Sequence, residues 1–211
     1  MNEADNPGSE RRLKLRKTPR QERSIQRLEA ILAAATDLLA EKGVQGLKMT
    51  EIAAAAGISI GSLYQFFPER AAVLRALHDQ HTQRVELGAR RAFAGVDSLE
   101  QAIERLASAV DRFYEVFRDD PVYRPVWLAA KSDRDLQVLN HAHQERLASD
   151  LAAIFRPLLP TDVRIDLKSR LMLYVHLTGS VVLWAMISGE DEAQRMLGEW
   201  KDNVRKTMFS P

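Results

Sequence analysis

Four of the five histidines occur as close pairs, and these are the side chains best suited to metal or acid–base chemistry. His141 and His143 lie two residues apart, so on a helix they point to nearly opposite sides and cannot share a metal ion. His78 and His81 lie three apart and can share one, but no third ligand is obvious in the sequence. We therefore expect His78 and His81 to be solvated histidines rather than metal ligands.

Motifs that carry catalysis are missing from the sequence. The chain has no cysteine, which excludes disulfides, thiolate metal sites and cysteine nucleophiles. It contains no Gly-x-Ser-x-Gly elbow, no glycine-rich phosphate loop and no His-Glu-x-x-His. The acidic pair Asp119 and Asp120 falls at a predicted helix boundary, where capping explains it. We expect neither a catalytic centre nor a bound metal or cofactor, and the sequence does not indicate an enzyme.

Charge, in contrast, is distributed unevenly along the chain. The whole sequence carries 30 basic and 29 acidic residues, but residues 11–27 hold eight basic residues against one acidic one. A basic segment on a nearly neutral body is typical of DNA binding. Residues 1–21 are polar and interrupted by Pro7, Gly8 and Pro19, so we predict a disordered basic arm there. A disordered tail that serves only solubility is the alternative.

The elements that must position any functional side chain are predicted to be helices throughout. The sequence shows no sustained two-residue alternation and no Asn-Gly hairpin signal, so the fold class is all-α with about nine helices. The N-terminal boundaries are helix 1 from about Arg23 to Lys42 closed by Gly43, helix 2 over 49–56 closed by Gly57, and helix 3 capped by Ser59 and ending at about Phe66.

The remaining boundaries depend on proline, glycine and capping residues. Pro68 is predicted to be the first residue of helix 4, which runs to about 94, and Ser98 with Gln101 forms a capping box for helix 5. Asp120 and Pro121 are predicted to open helix 6, with a kink or a later start because of Pro125. Ser132 or Asp133 caps helix 7, and Asp162 opens helix 8, which runs to about 188. Helix 9 is predicted to bury the face formed by Ala193, Met196, Leu197, Trp200 and Val204. Residues 171–188 carry no charge, but their polar residues favour a buried helix over a membrane span.

Residues 48–67, with the sequence KMTEIAAAAGISIGSLYQFF, predict a helix-turn-helix. Gly57 supplies the left-handed conformation of the tight turn between two short helices. The side chains predicted to pack inside the corner are Ile52, Ala53, Ala56, Ile58 and Leu63. The second helix is predicted to expose Ile60, Gly61, Ser62, Tyr64, Gln65 and Phe66, with its N-terminus able to enter a DNA major groove.

This segment resembles the tetracycline-repressor (TetR) family. The matching residues are Ile52-Ala53, the turn Ala56-Gly57-Ile58-Ser59, Gly61, Leu63-Tyr64, Phe67 and Arg70. The resemblance extends from about Arg20 to Leu77. It implies a DNA-binding domain at 22–68 and a connecting helix 4 that starts at Pro68. The effector-binding and dimerisation domain would then occupy residues 69–211.

The resemblance also implies roles for single residues. Tyr64 and Arg70 correspond to the family's phosphate contacts, and Gly61 allows close approach of the backbone. Thr50, Ile60, Ser62 and Gln65 fall where side chains approach base edges or nearby backbone, and Gln65 is the best candidate for reading an adenine edge.

Three residues depart from the family pattern. Lys48 replaces the usual helix-capping Ser or Thr, so the cap is lost or shifted to Thr50, and Lys48 becomes a candidate phosphate contact. Phe66 replaces a common histidine, but we keep it among the candidate DNA contacts. Ile60 is apolar and suits a thymine methyl group or no base contact at all. These changes concern the operator sequence, not DNA binding itself.

For the C-terminal half, the resemblance implies an effector cavity and a homodimer formed through the last two helices. Candidate cavity residues are Tyr114, Trp127, Asn140, His143, His176 and Trp184. Mixed aromatic residues with few charges indicate an apolar or weakly polar effector. A two-fold dimer would place two recognition helices in successive major grooves, about 34–36 Å apart, on a near-palindromic operator. Effector binding would shift helix 4 and so change DNA affinity.

The sequence therefore predicts a transcriptional regulator that binds double-stranded operator DNA and is released by a small-molecule effector, as a repressor. One alternative keeps the DNA module in an activator or a partner-regulated DNA binder. Another alternative is a helical carrier or enzyme whose helix-turn-helix is only structural, and the basic arm argues against it. The N-terminus lacks the apolar run of a signal peptide, so we expect a cytoplasmic location.

Overall fold

The computed structural model describes residues 22–120, 123–132 and 134–210. The predicted basic arm at 1–21 and the predicted cap Asp133 lie outside these ranges. The described residues form nine α-helices and one 3₁₀ helix, which confirms the all-α prediction. The elements are α1 Glu22–Gly46, α2 Met49–Ala55, α3 Ile60–Phe66, α4 Arg70–Ala92, α5 Leu99–Asp119, α6 Tyr123–Ser132, α7 Arg134–Phe155, the 3₁₀ helix Arg156–Leu158, α8 Leu167–Ala185 and α9 Glu190–Thr207.

Two glycines kink or end helices at positions that the sequence predicted. Gly43 has φ +65° inside α1, so the helix kinks after Lys42 and a short helical segment continues to Gly46. Gly57 has φ +64° after α2, where its N–H donates to the Ala54 carbonyl. The next amide, of Ile58, donates to the Ala53 carbonyl at 3.0 Å, which completes a Schellman turn. The left-handed backbone that this turn needs costs glycine little and other residues more.

Capping side chains fix two other helix starts, one as predicted and one four residues later. Ser98 Oγ accepts from the Gln101 amide at 3.3 Å, which confirms the cap of α5. The prediction that Asp162 opens helix 8 is wrong, because Asp166 is the N-cap of α8 and accepts from the Ser169 amide at 3.1 Å. Asp166 lies directly before Leu167, which is the first buried residue of the helix.

Two prolines lie near the starts of α4 and α6. The α4 helix begins at Arg70, so the prediction that Pro68 is its first residue is wrong. Pro68 instead ends α3, because its ring favours the extended backbone found at the C-cap Phe67. The α6 helix begins at Tyr123, so Pro125 lies in its first turn, where a missing N–H breaks no hydrogen bond. Residues 121 and 122 lie outside the described residues, so the choice between a kink and a later start of helix 6 stays a prediction.

The described chain divides by its packing into two compact units, and the functional boundary at 68–69 stays a prediction. Unit 1 comprises the described residues within 22–82 and 123–140, and unit 2 comprises those within 83–120 and 141–210. Unit 1 thus contains the helix-turn-helix together with the first part of α4, all of α6 and the start of α7.

The core of unit 1 is built by three helices of the helix-turn-helix and closed by residues distant in sequence. Ile52, Leu63 and Phe67 are fully buried in it. Val126 from α6 and Leu136 from α7 belong to the same cluster and are 2% and 1% exposed. The DNA-binding fold is therefore completed by a segment that the sequence assigned to the effector half.

Unit 2 is held by the packing of α9 on α5 and α8. The predicted buried face of α9 is confirmed, because Ala193, Leu197 and Val204 are buried and Met196 and Trp200 are half-buried. Polar contacts reinforce the packing, and they join Tyr174 Oη to the Leu106 carbonyl, Trp200 Nε1 to Thr178 Oγ1, Lys201 to Asp111 and Arg205 to Glu104. Among the described helices, none is long and apolar enough to cross a membrane.

Replacing Leu136 with Ala should destabilise unit 1 by about 2–5 kcal/mol, because it opens a cavity in the core beneath the helix-turn-helix. Urea unfolding followed by circular dichroism measures the change. Val138→Ala, two residues along α7 and 50% exposed, is the matched control and should shift stability by less than about 0.5 kcal/mol. Equal effects of the two substitutions would show that α7 does not close this core.

Candidate DNA-binding site

The second helix of the helix-turn-helix, α3, starts at a well-formed cap. Ser59 is extended and its Oγ accepts from the Ser62 amide at 3.1 Å, while its hydroxyl donates to Ser62 Oγ at 2.9 Å. The cap confirms the prediction for Ser59 and holds the Ser62 hydroxyl at the start of the helix. One side of α3 is open to solvent, with Tyr64 43% and Ile60 38% exposed, and with Gly61 and Gln65 also exposed.

Phe66 is not on that open side. It is 3% exposed and packs in the core with Leu63 and Phe67, so the prediction that α3 exposes it is wrong. The spacing Leu63, Phe66, Phe67 is the i, i+3, i+4 pattern of a buried helical face, which was readable in the sequence. Phe66 therefore fixes the orientation of α3 and is removed from the candidate DNA contacts.

The start of α2 presents polar side chains. Lys48 and Thr50 are both exposed, and Lys48 is the N-cap residue with an extended backbone and no side-chain capping bond. The cap has therefore been lost, not shifted to Thr50. The Glu51 carboxylate lies 2.9 Å from Lys42 Nζ and 3.9 Å from Lys48 Nζ, and the hydrogen bond from Lys42 lowers the pKa of Glu51.

Arg70 opens α4 with an exposed guanidinium group. Its Nη1 donates to the Val44 carbonyl at 3.4 Å, in the short helical segment of α1 that follows Gly43. This contact ties the start of α4 to the end of α1. Arg70 is therefore placed by the fold and still accessible to a phosphate.

The histidines predicted to be solvated are buried. His78 and His81 are 4% and 5% exposed, because α6 and α7 cover α4 within unit 1. His78 Nε2 lies 3.4 Å from Asn140 Oδ1, and the His81 ring packs edge-on against Tyr123 with centroids 4.7 Å apart. Within the described part of the chain, no group of three or more His, Asp or Glu side chains is arranged to hold a metal ion.

The six candidate effector residues are divided between the two units. Trp127 and Asn140 belong to unit 1, whereas Tyr114, His143, His176 and Trp184 belong to unit 2. Tyr114, Trp127 and His143 are buried, and His143 Nδ1 lies 3.0 Å from Glu86 Oε1. His176 is exposed and Trp184 is 59% exposed, so neither is enclosed in the chain as described. That the six residues line an effector cavity stays a prediction.

A cleft that the sequence reading missed lies in unit 2. It has a volume of about 370 Å³ and is lined by α4 and α7 through Glu86, Arg90, Glu145, Arg146, Ser149 and Asp150. Its walls are charged, and His143 backs it by bonding Glu86. None of these lining residues is aromatic, so a prediction based on aromatic and weakly polar residues did not include the cleft. The only sequence signal is the recurrence of charges at helical spacing.

Comparison with known proteins agrees with this geometry. Residues 31–77 match the bacterial regulatory proteins of the tetR family, and residues 100–211, which are more than half of the chain, match the tetracyclin repressor-like C-terminal domain. The chain therefore belongs to the TetR family and is a helix-turn-helix DNA-binding transcriptional regulator. Regulators of this family bind DNA operators as dimers and respond to small molecules.

Several curated relatives are regulators. The regulator CymR of Pseudomonas putida is 27% identical over 54% of this chain, which spans about half of CymR's own length (55%). A regulator of Mycobacterium tuberculosis is 26% identical over 78% of this chain and 77% of its own length. The transcriptional activator FasR of Mycolicibacterium smegmatis is 31% identical over 48% of this chain and 43% of its own length.

Solved structures share the fold. A transcriptional regulator of Streptomyces coelicolor A3(2) has a TM-score of 0.68 at 22% identity, covering 86% of this chain and 99% of the other. A regulator of Saccharomonospora viridis in complex with choline has a TM-score of 0.63 at 17% identity, covering 89% and 100%. FadR of Bacillus subtilis in complex with stearoyl-CoA has a TM-score of 0.61 at 16% identity, covering 87% and 98%.

Substitutions on the two sides of α3 should separate binding from stability. Tyr64→Ala removes an exposed ring, so we expect DNA affinity to fall by about tenfold or more while the unfolding midpoint changes little. Phe66→Ala empties a core position and should cost about 3–5 kcal/mol of stability. Fluorescence anisotropy with the chain's own upstream DNA and urea unfolding measure the two effects. Unchanged affinity of Tyr64→Ala would remove Tyr64 from the site.

Proposed function

We propose that this protein is a repressor that binds a near-palindromic operator as a homodimer and is released by a small-molecule effector. The observation that carries the proposal is α3, whose capped N-terminus presents polar side chains on one side and is anchored by buried aromatics on the other. That arrangement lets the helix enter a major groove without losing its packing.

The proposed DNA contacts follow exposure and chemistry. Tyr64, Arg70 and Lys48 are proposed to bind phosphate, and Gln65 to read an adenine edge through its amide. Ile60 is proposed to contact a thymine methyl group. Thr50, Gly61 and Ser62 complete the surface that is proposed to face the major groove and the adjoining DNA backbone.

The proposed dimer uses an outward apolar stripe of α8. Leu173, Leu177 and Trp184 on α8, with Ile187 just after it, share one face of the helix and are 58%, 38%, 59% and 65% exposed. In contrast, α9 uses its apolar face within unit 2, and its outward side is mainly polar. We therefore propose that α8 supplies the apolar centre of the interface and α9 its polar margin, a refinement of the expectation that the last two helices form the dimer. Contiguous exposed apolar surface of this kind commonly marks protein interfaces.

The effector is proposed to bind unit 2. Support comes from the match of residues 100–211 to the repressor-like C-terminal domain and from similar folds that hold choline or stearoyl-CoA. The charged cleft between α4 and α7 has a volume within the range of small-molecule sites. Because its walls carry both signs of charge, it favours a polar effector over the apolar or weakly polar one predicted from the sequence.

Activation rather than repression is the second candidate. It keeps every proposed DNA contact, and FasR, to which part of the chain is 31% identical, is named an activator. The sign of regulation depends on where the operator lies relative to the promoter, which a transcription assay with and without the protein would decide.

The affinity for the chain's own upstream DNA should depend steeply on salt. Phosphate contacts by Lys48 and Arg70 in two protomers give a slope of log affinity against log salt of at least about −3.6, at roughly −0.9 per phosphate. Affinity should therefore fall by roughly 100-fold between about 50 and 200 mM salt. An anisotropy titration measures the slope, and a nearly flat dependence would contradict these phosphate contacts.

Trp184→Glu should convert the dimer into monomers, because a carboxylate would be buried at the centre of the proposed interface without a partner. Sedimentation velocity measures the assembly, and operator affinity should fall in parallel. Val138→Glu places the same charge at a position in unit 1 with 50% exposure and should leave the dimer intact. A dimeric Trp184→Glu variant would exclude this face as the interface.

A further inference from the structure

Three charged side chains form a bridge between the end of α1 and the start of α2, which we name the Glu51 bridge. Glu51 Oε2 lies 2.9 Å from Lys42 Nζ, and Glu51 Oε1 lies 3.9 Å from Lys48 Nζ. All three side chains reach solvent, with exposed fractions of 34% for Glu51, 44% for Lys42 and 69% for Lys48. One carboxylate therefore serves two ammonium groups at the edge of the helix-turn-helix.

Glu51 takes this position because the start of α2 gives it no capping role. It is the third residue of the helix, where a glutamate normally accepts the backbone N–H of a capping Ser or Thr. Here the N-cap is Lys48, whose N–H donates instead to the Gly46 carbonyl at 3.0 Å. The carboxylate is then free to bond Lys42 on the preceding helix.

The bridge lies beside the proposed phosphate contacts. Arg70 bonds the Val44 carbonyl in the last turn of α1, between Lys42 and Lys48 in the chain. The cations Lys42, Lys48 and Arg70 therefore lie about the end of α1 and the start of α2, and Glu51 is paired with two of them. A phosphate that approaches either lysine must compete with the Glu51 carboxylate, which is already paired with that lysine.

We propose that Glu51 is a specificity-determining residue, which restrains Lys42 and Lys48 from binding the phosphates of arbitrary DNA. Exposed ion pairs are weak, so a phosphate held in place by a docked α3 can displace the carboxylate. A phosphate in a non-specific complex must also displace Glu51, but it gains less binding free energy than a phosphate of the operator because α3 is not docked. The protein would thereby lower its affinity for random sequence more than its affinity for the operator, and specificity depends on that ratio.

The test is Glu51→Gln, which keeps the shape of the side chain and removes its charge. The probe is a random-sequence duplex of about 20 base pairs, titrated by anisotropy from about 50 to 200 mM salt. Each lysine freed to contact phosphate should steepen the slope of log affinity against log salt by roughly 0.9. We expect a change of about 1–2 per protomer and tighter binding at low salt.

Two further variants test whether the freed lysines cause the change in slope. Lys42→Met combined with Glu51→Gln should reverse about half of the change in slope, because only Lys48 is then freed. Glu104→Gln removes a carboxylate that pairs with Arg205 at 2.9 Å in unit 2 and should leave the slope unchanged. Circular dichroism confirms that each variant is folded.

The inference is overturned if folded Glu51→Gln binds random DNA with the wild-type slope, or more weakly than the wild type. It is also overturned if the Glu104 control steepens the slope equally, since general charge would then explain the change. The inference rests on DNA binding through this surface, but a failure of DNA binding and a failure of the role of Glu51 give different results. Wild-type protein with no salt-dependent binding contradicts the proposed contacts, whereas normal wild-type binding that Glu51→Gln does not alter contradicts only the role of Glu51.

Discussion

The burial of one side of a seven-residue helix is the constraint on which the DNA-binding unit depends. Isolated helices shorter than about 12–15 residues are marginal in water, so α3 cannot exist through its own hydrogen bonds. It is held by Ser59 at its start and by Leu63, Phe66 and Phe67 in the core. Because these residues fix how the helix is rotated, they also decide which side chains face outward to read DNA.

The same core extends the DNA-binding unit beyond the helix-turn-helix. Val126 and Leu136 lie far along the chain from Leu63, yet they belong to one buried cluster with it. Within unit 1, α6 also packs directly on α1. A displacement of α6 or of the start of α7 would therefore alter the support of the reading helix through packing alone. This route is additional to the movement of α4 that the family resemblance implies.

Local chemistry was predictable from the sequence, and burial set by distant packing was not. Gly57 and Ser59 act through their own backbone or a bond to a nearby amide, so their types and positions suffice. His78 and His81 look solvated by sequence but are covered by helices that begin at Tyr123 and Arg134, which periodicity cannot reveal. Likewise, aromatic residues such as Trp127 and Trp184 suggested one cavity, although the fold buries the first and exposes the second.

The missing side-chain cap at Lys48 affects both the stability of α2 and the charge of the proposed DNA-binding surface. Replacing a capping hydroxyl costs a helix about 1 kcal/mol, and α2 has only seven residues over which to recover it. Ile52 and Ala53 bury its inner side, so the core and the Schellman turn at Gly57 hold the helix without the cap. Lys48 instead places a cation at the edge of the surface proposed to face DNA, and Glu51 is released to pair with that cation. A capping box at the start of α2 would thus have removed the charge proposed to attract phosphate and occupied the carboxylate proposed to moderate that attraction.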